Sequence, residues 1–325
     1  TSVYGYVYVL GDDNGKEEEQ EILAVLVCGK VVELSHELEV QPRFALSQDR
    51  KDALAGMGIY FEELPLLSQC AFEQVSTAAR EGGGVDPSCY ASFSEWMGRL
   101  ADAKHQRLLV EKFLPALSNG SSVKWSGVDL LRLPSAVVCD LGCGRGAAAL
   151  LIAQAFPSAT VYGIDIDKPA IESAQRKAVE LGVTNLSYHM VDATNLRADE
   201  FGARELVGKC DLVTAFDSIH DLTNPSAALE GVHSLLKPLS GVFAMVDISA
   251  KTRLADNLQH PMAPFLYTVS LMHCMPQGLN NGGPGLGMMW GREKALEMLD
   301  SAGFESEVLA LEFDSFNDCY LCKSK

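Results

Sequence analysis

Val137-Val-Cys-Asp-Leu-Gly-Cys-Gly-Arg-Gly146 decides how this chain folds. Five residues rich in apolar and β-branched side chains run into Gly142, Gly144 and Gly146. An apolar stretch of helical length, Ala147–Phe156, follows at once and is closed by Pro157. Glycines let the backbone turn sharply and let a ligand approach where a Cβ would clash. The free N–H groups of the next helix favour the negative part of a ligand. Nineteen residues after Gly146 stands Asp165, at the end of a second apolar run, Thr160–Ile164. A carboxylate there can accept both hydroxyls of a ribose.

Outward from this segment, strands and helices alternate. Further strands are expected at Leu186–Met190, Asp211–Phe216, Gly241–Ile248, Val308–Phe313 and Asp318–Lys323. A helix with Asp167 as N-cap and Pro169 in its first turn carries the stripe Ile171, Ala174, Ala178, Leu181 and ends at Gly182. Other helices are expected up to Leu236 and over Arg292–Ala302. Buried, non-alternating strands between helices predict an α/β fold with a mainly parallel, doubly wound sheet, and ligands at the carboxyl ends of its strands.

The rest divides into 1–60, with β-like runs Tyr4–Leu10 and Ile22–Val27 read as a hairpin, and 61–125, read as a helical linker or lid. In the latter, Ser92-Phe-Ser-Glu95 reads as a capping box. Trp96, Leu100, Leu108, Leu109 and Phe113 form an apolar face, and Pro115 is expected to end the helix. The third region is 126–325.

Composition bounds the function. The 325 residues are 47% hydrophobic and carry a net charge of −17. That balance argues against a nucleic-acid partner, which calls for a basic patch. No apolar run approaches the ~20 residues of a membrane span, and no secretory signal pattern is visible. With Thr1 in place of Met, residues are expected to have been removed or trimmed at this end. Nine cysteines without a regular framework fit a reducing compartment, so a cytoplasmic location is expected. Cys319 and Cys322 fall on a strand, where positions three apart face opposite ways, so no redox or zinc role is expected of them.

The pattern Asp140-Leu-Gly-Cys-Gly-Arg-Gly, with G-x-G-x-G in place of the dinucleotide G-x-G-x-x-G, resembles motif I of the class I S-adenosylmethionine-dependent methyltransferases. Asp192-Ala193, Ala215-Phe-Asp217 and Leu235-Leu-Lys-Pro-Leu-Ser-Gly-Val-Phe resemble later motifs of that family, with Leu239-Ser240 standing where the turn has its first glycine. The resemblance implies a Rossmann-like seven-stranded sheet whose last strand is antiparallel. It also implies a cofactor site for S-adenosylmethionine made of Asp140, Gly142, Cys143, Gly144, Gly146, Asp165, Ile166, Asp192, Ala193, Phe216 and Asp217.

Phe61-Glu-Glu-Leu-Pro-Leu-Leu, Gly82-Gly-Gly-Val, Ile219-His-Asp and Gly285-Leu-Gly-Met-Met-Trp-Gly291 look like a small-molecule subgroup with an N-terminal winged-helix-like α+β region, through which a homodimer forms. His220 and Asp221 match the His-Asp pair of plant-type O-methyltransferases, where the His is the general base; Leu222 replaces the tryptophan that follows there. The acceptor pocket is expected from the insertion 251–291, with His260, Phe265, Tyr267, His273, Met275 and Trp290 on its wall. His260, His273 and Cys274 match no standard zinc spacing, and no metal is expected. The expected reaction is methyl transfer to a small-molecule hydroxyl, amine or thiol. The alternatives are a nicotinamide-dependent oxidoreductase and a non-catalytic cofactor-binding regulator.

Overall fold

The computed structural model describes residues 62–196 and 204–325, and, within the first 61, the backbone of three short strands. The chain forms two compact units, Thr1–Glu63 and Leu64–Lys325. In the first, β1 (Gly5–Val7), β2 (Glu33–His36) and β3 (Arg43–Leu46) make an antiparallel sheet in the order β1-β3-β2. The partner of the first strand is therefore Arg43–Leu46; the expected partner, Ile22–Val27, lies outside the described residues.

The second unit holds a seven-stranded sheet in the order β6-β5-β4-β7-β8-β10-β9. Its strands are β4 (Val137–Leu141), β5 (Thr160–Asp165), β6 (Leu186–Met190), β7 (Leu212–Phe216), β8 (Val242–Ile248), β9 (Phe304–Leu309) and β10 (Asn317–Ser324). The pairs β4–β5, β4–β7, β5–β6 and β7–β8 are parallel, and β10 runs antiparallel to both β8 and β9. This is the Rossmann-like sheet with an antiparallel last strand. The strand order reverses at β4, so the crevice between the carboxyl ends of β4 and β5 on one side and β7 on the other is where such sheets bind ligands.

Helices α1 (Glu63–Glu81) and α2 (Ala91–Leu108) precede the sheet; α3 (Ala147–Ala155), α4 (Lys168–Glu180), α5 (Pro225–Leu235) and α8 (Arg292–Ser301) are laid around it. The insertion after β8 forms α6 (Ala263–Met272) and α7 (Cys274–Leu279). Both faces of the sheet are covered. Val138, Val161 and Ala244 pack with α3 and α4; Cys139, Val213 and Phe243 pack with α5 and α8. Burial on both sides explains why the central strands read as unbroken apolar runs. Among the described residues no helix is long and apolar enough to cross a membrane.

Three local expectations are corrected. Ser92 does not cap a helix: Asp86 accepts from Ser88 N–H and caps a 3₁₀ turn, Pro87–Tyr90, that leads directly into α2. Pro115 does not end the helical path either. A π-turn at Leu109–Phe113 loosens the ladder just before it, Pro115 lies in the first turn of a new helical segment, and the chain stays helical to Asn119. The sixth strand of the sheet begins at Phe304, not Val308. β9 is an edge strand with Glu305 exposed and Glu307 half-buried, so it lacks the apolar run by which its neighbours are read.

Two polar clamps hold the framework. Asp211 Oδ2 accepts from Val137 N–H at 2.9 Å, and both its oxygens lie 2.7 Å from Lys237 Nζ, which ties the amino ends of β4 and β7 to the end of α5. The Asn185 side-chain amide donates to the carbonyls of Ala153, Phe156 and Ala159, closing the C-terminal end of α3. Leu239 stands in the turn before β8 at φ +67 with its side chain fully exposed. A branched residue in the left-handed region costs roughly 1–2 kcal/mol, and this one gains no burial in return. Leu239→Gly is therefore expected to stabilise the protein by roughly 0.5–1 kcal/mol in a denaturant titration, glycine's own entropy cost taking up the rest.

Candidate active site

The turn after β4 places Gly142, Gly144 and Gly146 at φ +65, +53 and +81. Each has a different reason to lack a side chain. A Cβ on Gly142 would stand 2.6 Å from that of Ser218, and one on Gly146 would strike the Tyr188 hydroxyl. Around the Cβ position of Gly144 there is nothing within 4 Å, so this peptide borders open space. The loop is held from outside: Tyr188 Oη donates to Gly146 O at 2.7 Å, Cys143 N–H to Ile164 O at 3.0 Å, and Gly144 N–H to Asp165 Oδ2 at 2.7 Å.

Asp165 ends β5 with its second oxygen accepting from Asp167 N–H at 2.8 Å. Burial pushes its carboxyl up, and the amides of Asp167 and Gly144 pull it back. Ile166 beside it is exposed. Asp192, just past β6, caps a 3₁₀ turn through Thr194, and Ala193 is buried behind it. Asp140 is only 2% exposed: it accepts from Thr214 Oγ1 at 2.7 Å inside the sheet, and burial raises its carboxyl to about 7. It lies beneath the loop. The carboxyl ends of β4, β5 and β6 thus bring the glycine turn, Asp165 and Asp192 to one edge of the sheet. The open face at Gly144, the carboxylate of Asp165 and a glycine turn whose other two positions have no room for a side chain suit an adenosyl group with a short zwitterionic tail.

Helix α2 lies against this loop. A Cβ on Gly98 would strike the Arg145 side chain, whose Nη2 reaches Ser173 Oγ at 3.2 Å. Ser94 reaches Asp167, and Asp102 pairs with Lys177 at 2.9 Å.

At the end of β7 the chain turns through Asp217 at φ +47, with Asp217 N–H on Val246 O. The Phe216 ring meets those of His105 and Phe113 edge-on at 4.6 and 5.2 Å. Asp217 lies 3.5 Å from Lys104, and burial raises its carboxyl against the pull of that ammonium. The next turn, Ile219–Asp221, buries His220 to 2% exposure. His220 Nδ1 stands 2.8 and 3.0 Å from the two oxygens of Asp247, and Nε2 stands 3.4 Å from Asp221 Oδ1. Burial works against a charge on this ring. Asp247 and Asp221 outweigh it and lift the imidazole well above its ordinary value.

His273 and Cys274, at the junction of α6 and α7, complete the cluster. Burial lowers the His273 imidazole and pushes the Cys274 thiol up to about 12. The His273 ring is wedged against Tyr90 and Phe93, at 4.7 and 4.8 Å, and Tyr90 Oη donates to Met272 O.

The remaining insertion residues are spread out. His260 Nδ1 accepts from Met262 N–H, Tyr267 Oη accepts from Asn257, and Phe265 and Tyr267 pack around Leu266 and Met289. Met275 runs alongside Gly285 and Gly287. Trp290, 5% exposed, belongs to the apolar layer between the sheet, α5 and α8. Sequence reading missed Asp247. The signal was there: it is the one charged residue in the apolar run Val242–Ile248, on a strand buried on both faces. It also missed Tyr188, whose role rests on a contact across three strands.

A family model described as a methyltransferase domain matches residues 133–303. A ubiquinone biosynthesis O-methyltransferase of Leptothrix cholodnii is 27% identical over 159 residues, 49% of this chain and 62% of its own length; the chain thus spans less than two thirds of that relative. Among solved structures, human N-acetylserotonin methyltransferase in complex with its methyl donor superposes with a TM-score of 0.56 at 16% identity, over 95% of this chain and 83% of that one. The S-adenosylmethionine-dependent methyltransferase SibL gives 0.61 at 15% identity, over 95% and 85%. At these identities both likenesses are of fold. The family match covers the sheet from just before the glycine turn through α8, and with it every strand end that builds the crevice. This chain belongs to the methyltransferase domain family.

Proposed function

We propose that this protein transfers a methyl group from S-adenosylmethionine to a hydroxyl of a small molecule, with His220 as the base. The observation that carries the reading is the buried Asp247–His220 pair at the carboxyl ends of β8 and β7. A cofactor site alone would also suit a regulator. A carboxylate that fixes one ring nitrogen and leaves the other facing the next turn is what proton abstraction requires.

Gly142, Cys143, Gly144 and Gly146 would hold the methionine end of the donor, with Asp140 beneath them. Asp165 and Ile166 would hold the ribose, Asp192 and Ala193 the adenine, and Phe216 and Asp217 the side nearest the acceptor. When bound, S-adenosylmethionine supplies an electrophilic methyl carbon. The chain's own part is alignment, exclusion of water and removal of one proton. His220 Nε2 takes the hydroxyl proton. Nδ1–H stays on Asp247, which fixes the tautomer and stabilises the resulting imidazolium. Asp221 adds a second carboxylate at Nε2 and, with Asp247, raises the ring's affinity for a proton.

The acceptor would be enclosed by the insertion 251–291, with His260, Phe265, Tyr267, His273 and Met275 nearest to it and Trp290 supporting them from the apolar layer. Residues 61–125 would act as a lid, residues 1–60 as a winged-helix-like region through which two copies pair, and 126–325 as the catalytic domain. A cytoplasmic, small-molecule role accords with the acidic balance of the chain and with its free cysteines. An amine or thiol acceptor needs the base less, so the buried dyad favours a hydroxyl. The missing dinucleotide spacing counts against a nicotinamide oxidoreductase.

Three measurements test this. S-adenosylmethionine at about 100 times its Kd is expected to stabilise the protein by about 2.7 kcal/mol in a thermal melt, where nicotinamide dinucleotides give no shift. Asp165→Ala is expected to abolish that gain, and a donor without effect on the wild type would refute the proposal. The rate of transfer is expected to rise with pH, with a midpoint above the ordinary imidazole value of about 6.5. Asp247→Asn should lower both the midpoint and the plateau. Stability carries the matching sign. Because the folded imidazole holds its proton more tightly than the unfolded one, the pair's stabilisation is complete below about pH 6.5 and fades as pH rises through the folded value. A His220→Ala variant that turns over normally at every pH would exclude His220 as the base.

A further inference from the structure

Three side chains from two separate segments, the base among them, converge at its Nε2. His220 and Asp221 lie in the turn after β7, and Cys274 opens α7. One donor atom from each, an imidazole nitrogen, a carboxylate oxygen and a sulfur, all lie within 4.8 Å of one another. The separation of His220 Nε2 from Asp221 Oδ1 is 3.4 Å, close to the ~3.3 Å between two ligand atoms each 2.0 Å from a tetrahedral ion. His220 and Cys274 are buried, and Asp221 Oδ1 is out of reach of solvent with no hydrogen-bond partner.

We propose that His220 Nε2, Asp221 Oδ1 and Cys274 Sγ form a binding site for a thiophilic divalent cation such as Zn²⁺, and that the cation and the acceptor compete for His220.

Two contacts and the chemistry of the donor set support the site as built rather than incidental. Asp247 already holds Nδ1 at 2.8 Å, which aims Nε2 at the cluster; a carboxylate behind the ring is the usual support of a metal-bound histidine. His273 Nδ1 stands 3.5 Å from Cys274 Sγ and can donate to a thiolate. The entering cation would displace the protons of the Cys274 thiol and of His220 Nε2 to solvent, and the three ligands would then carry two negative charges, matched by a divalent ion. A sulfur, nitrogen and oxygen set on a buried, irregular cage selects zinc-like ions over magnesium or calcium, which prefer oxygen alone. Three protein ligands leave a fourth position for water or an acceptor heteroatom. The consequence for transfer rests on His220 being the base: a nitrogen that binds a cation cannot accept a proton, so the metal would hold the enzyme off.

Binding and inhibition are read separately. The full chain, stripped with a chelator, is titrated with Co²⁺ while its absorbance is followed. One equivalent is expected to produce thiolate-to-cobalt charge transfer in the near ultraviolet and the visible bands of a four-coordinate ion, and Zn²⁺ is expected to displace it. Cys274→Ala should abolish the charge-transfer band. Asp221→Asn, at a more exposed position, should weaken Co²⁺ binding at least about tenfold and so tests the site even if the cysteine variant misfolds. Absence of charge transfer in the wild type, or binding equal in both variants and the wild type, would overturn the site. Inhibition is measured as methyl transfer by the stripped enzyme across added Zn²⁺. Loss of activity at one equivalent, restored by chelator, is expected. A bound ion with unchanged turnover would retain the metal site but remove His220 from the chemistry, whereas a pH-dependent turnover without any metal binding would do the reverse.

Discussion

The turn after β4 is the constraint on which the rest is built. Three left-handed backbone positions within five residues are costly for any sequence, and glycine alone accepts them freely. Here the turn is also gripped from three sides, by Tyr188 at Gly146, Asp165 at Gly144 and Ser218 beside Gly142. These neighbours come from β6, β5 and the segment after β7, the strands that flank β4 on either hand and the one beyond. The sheet must therefore be in register before the turn can take its shape. The edge of the crevice is thus a product of tertiary packing, although its glycines are local.

The second half of the crevice obeys a different rule. An imidazole and several carboxylates meet at the ends of β7 and β8, largely out of reach of water. In such surroundings a lone charge would be expensive and a paired one is held firmly. Asp247 gives His220 its orientation, and Asp221 and Asp217 add negative charge around it. The same carboxylates that make the ring a well-placed base raise its affinity for a proton. Orientation and basicity are bound together and cannot be tuned independently.

Much of this is legible in the sequence alone. Leu186–Met190 falls on its strand residue for residue, Asp167 caps α4 as its position implied, and the run from Val137 to Gly146 turns where its glycines dictate. Legibility failed where the signal was not local. β9 is an edge strand whose polar face resembles a loop. Pro115 looked like a terminator because a π-turn upstream, which absorbs its missing N–H, leaves no mark in composition. In the site, His220 and Asp221 stood out as adjacent polar residues after an apolar strand. Asp247, 27 positions later, and Cys274, beyond the insertion, join them only through the parallel pairing of β7 with β8 and the return of α7. Spacing along a chain carries no record of such meetings.

The Asn185 clamp bears on how this protein ages. One amide nitrogen has two hydrogens and here faces three carbonyl oxygens, at a helix end that is already electronegative. Slow hydrolysis of that amide would exchange the donor for an anion aimed at the same three oxygens. A chemical lesion that passes unnoticed at most surface asparagines would here push α3 away from β5, and with it the floor of the glycine turn.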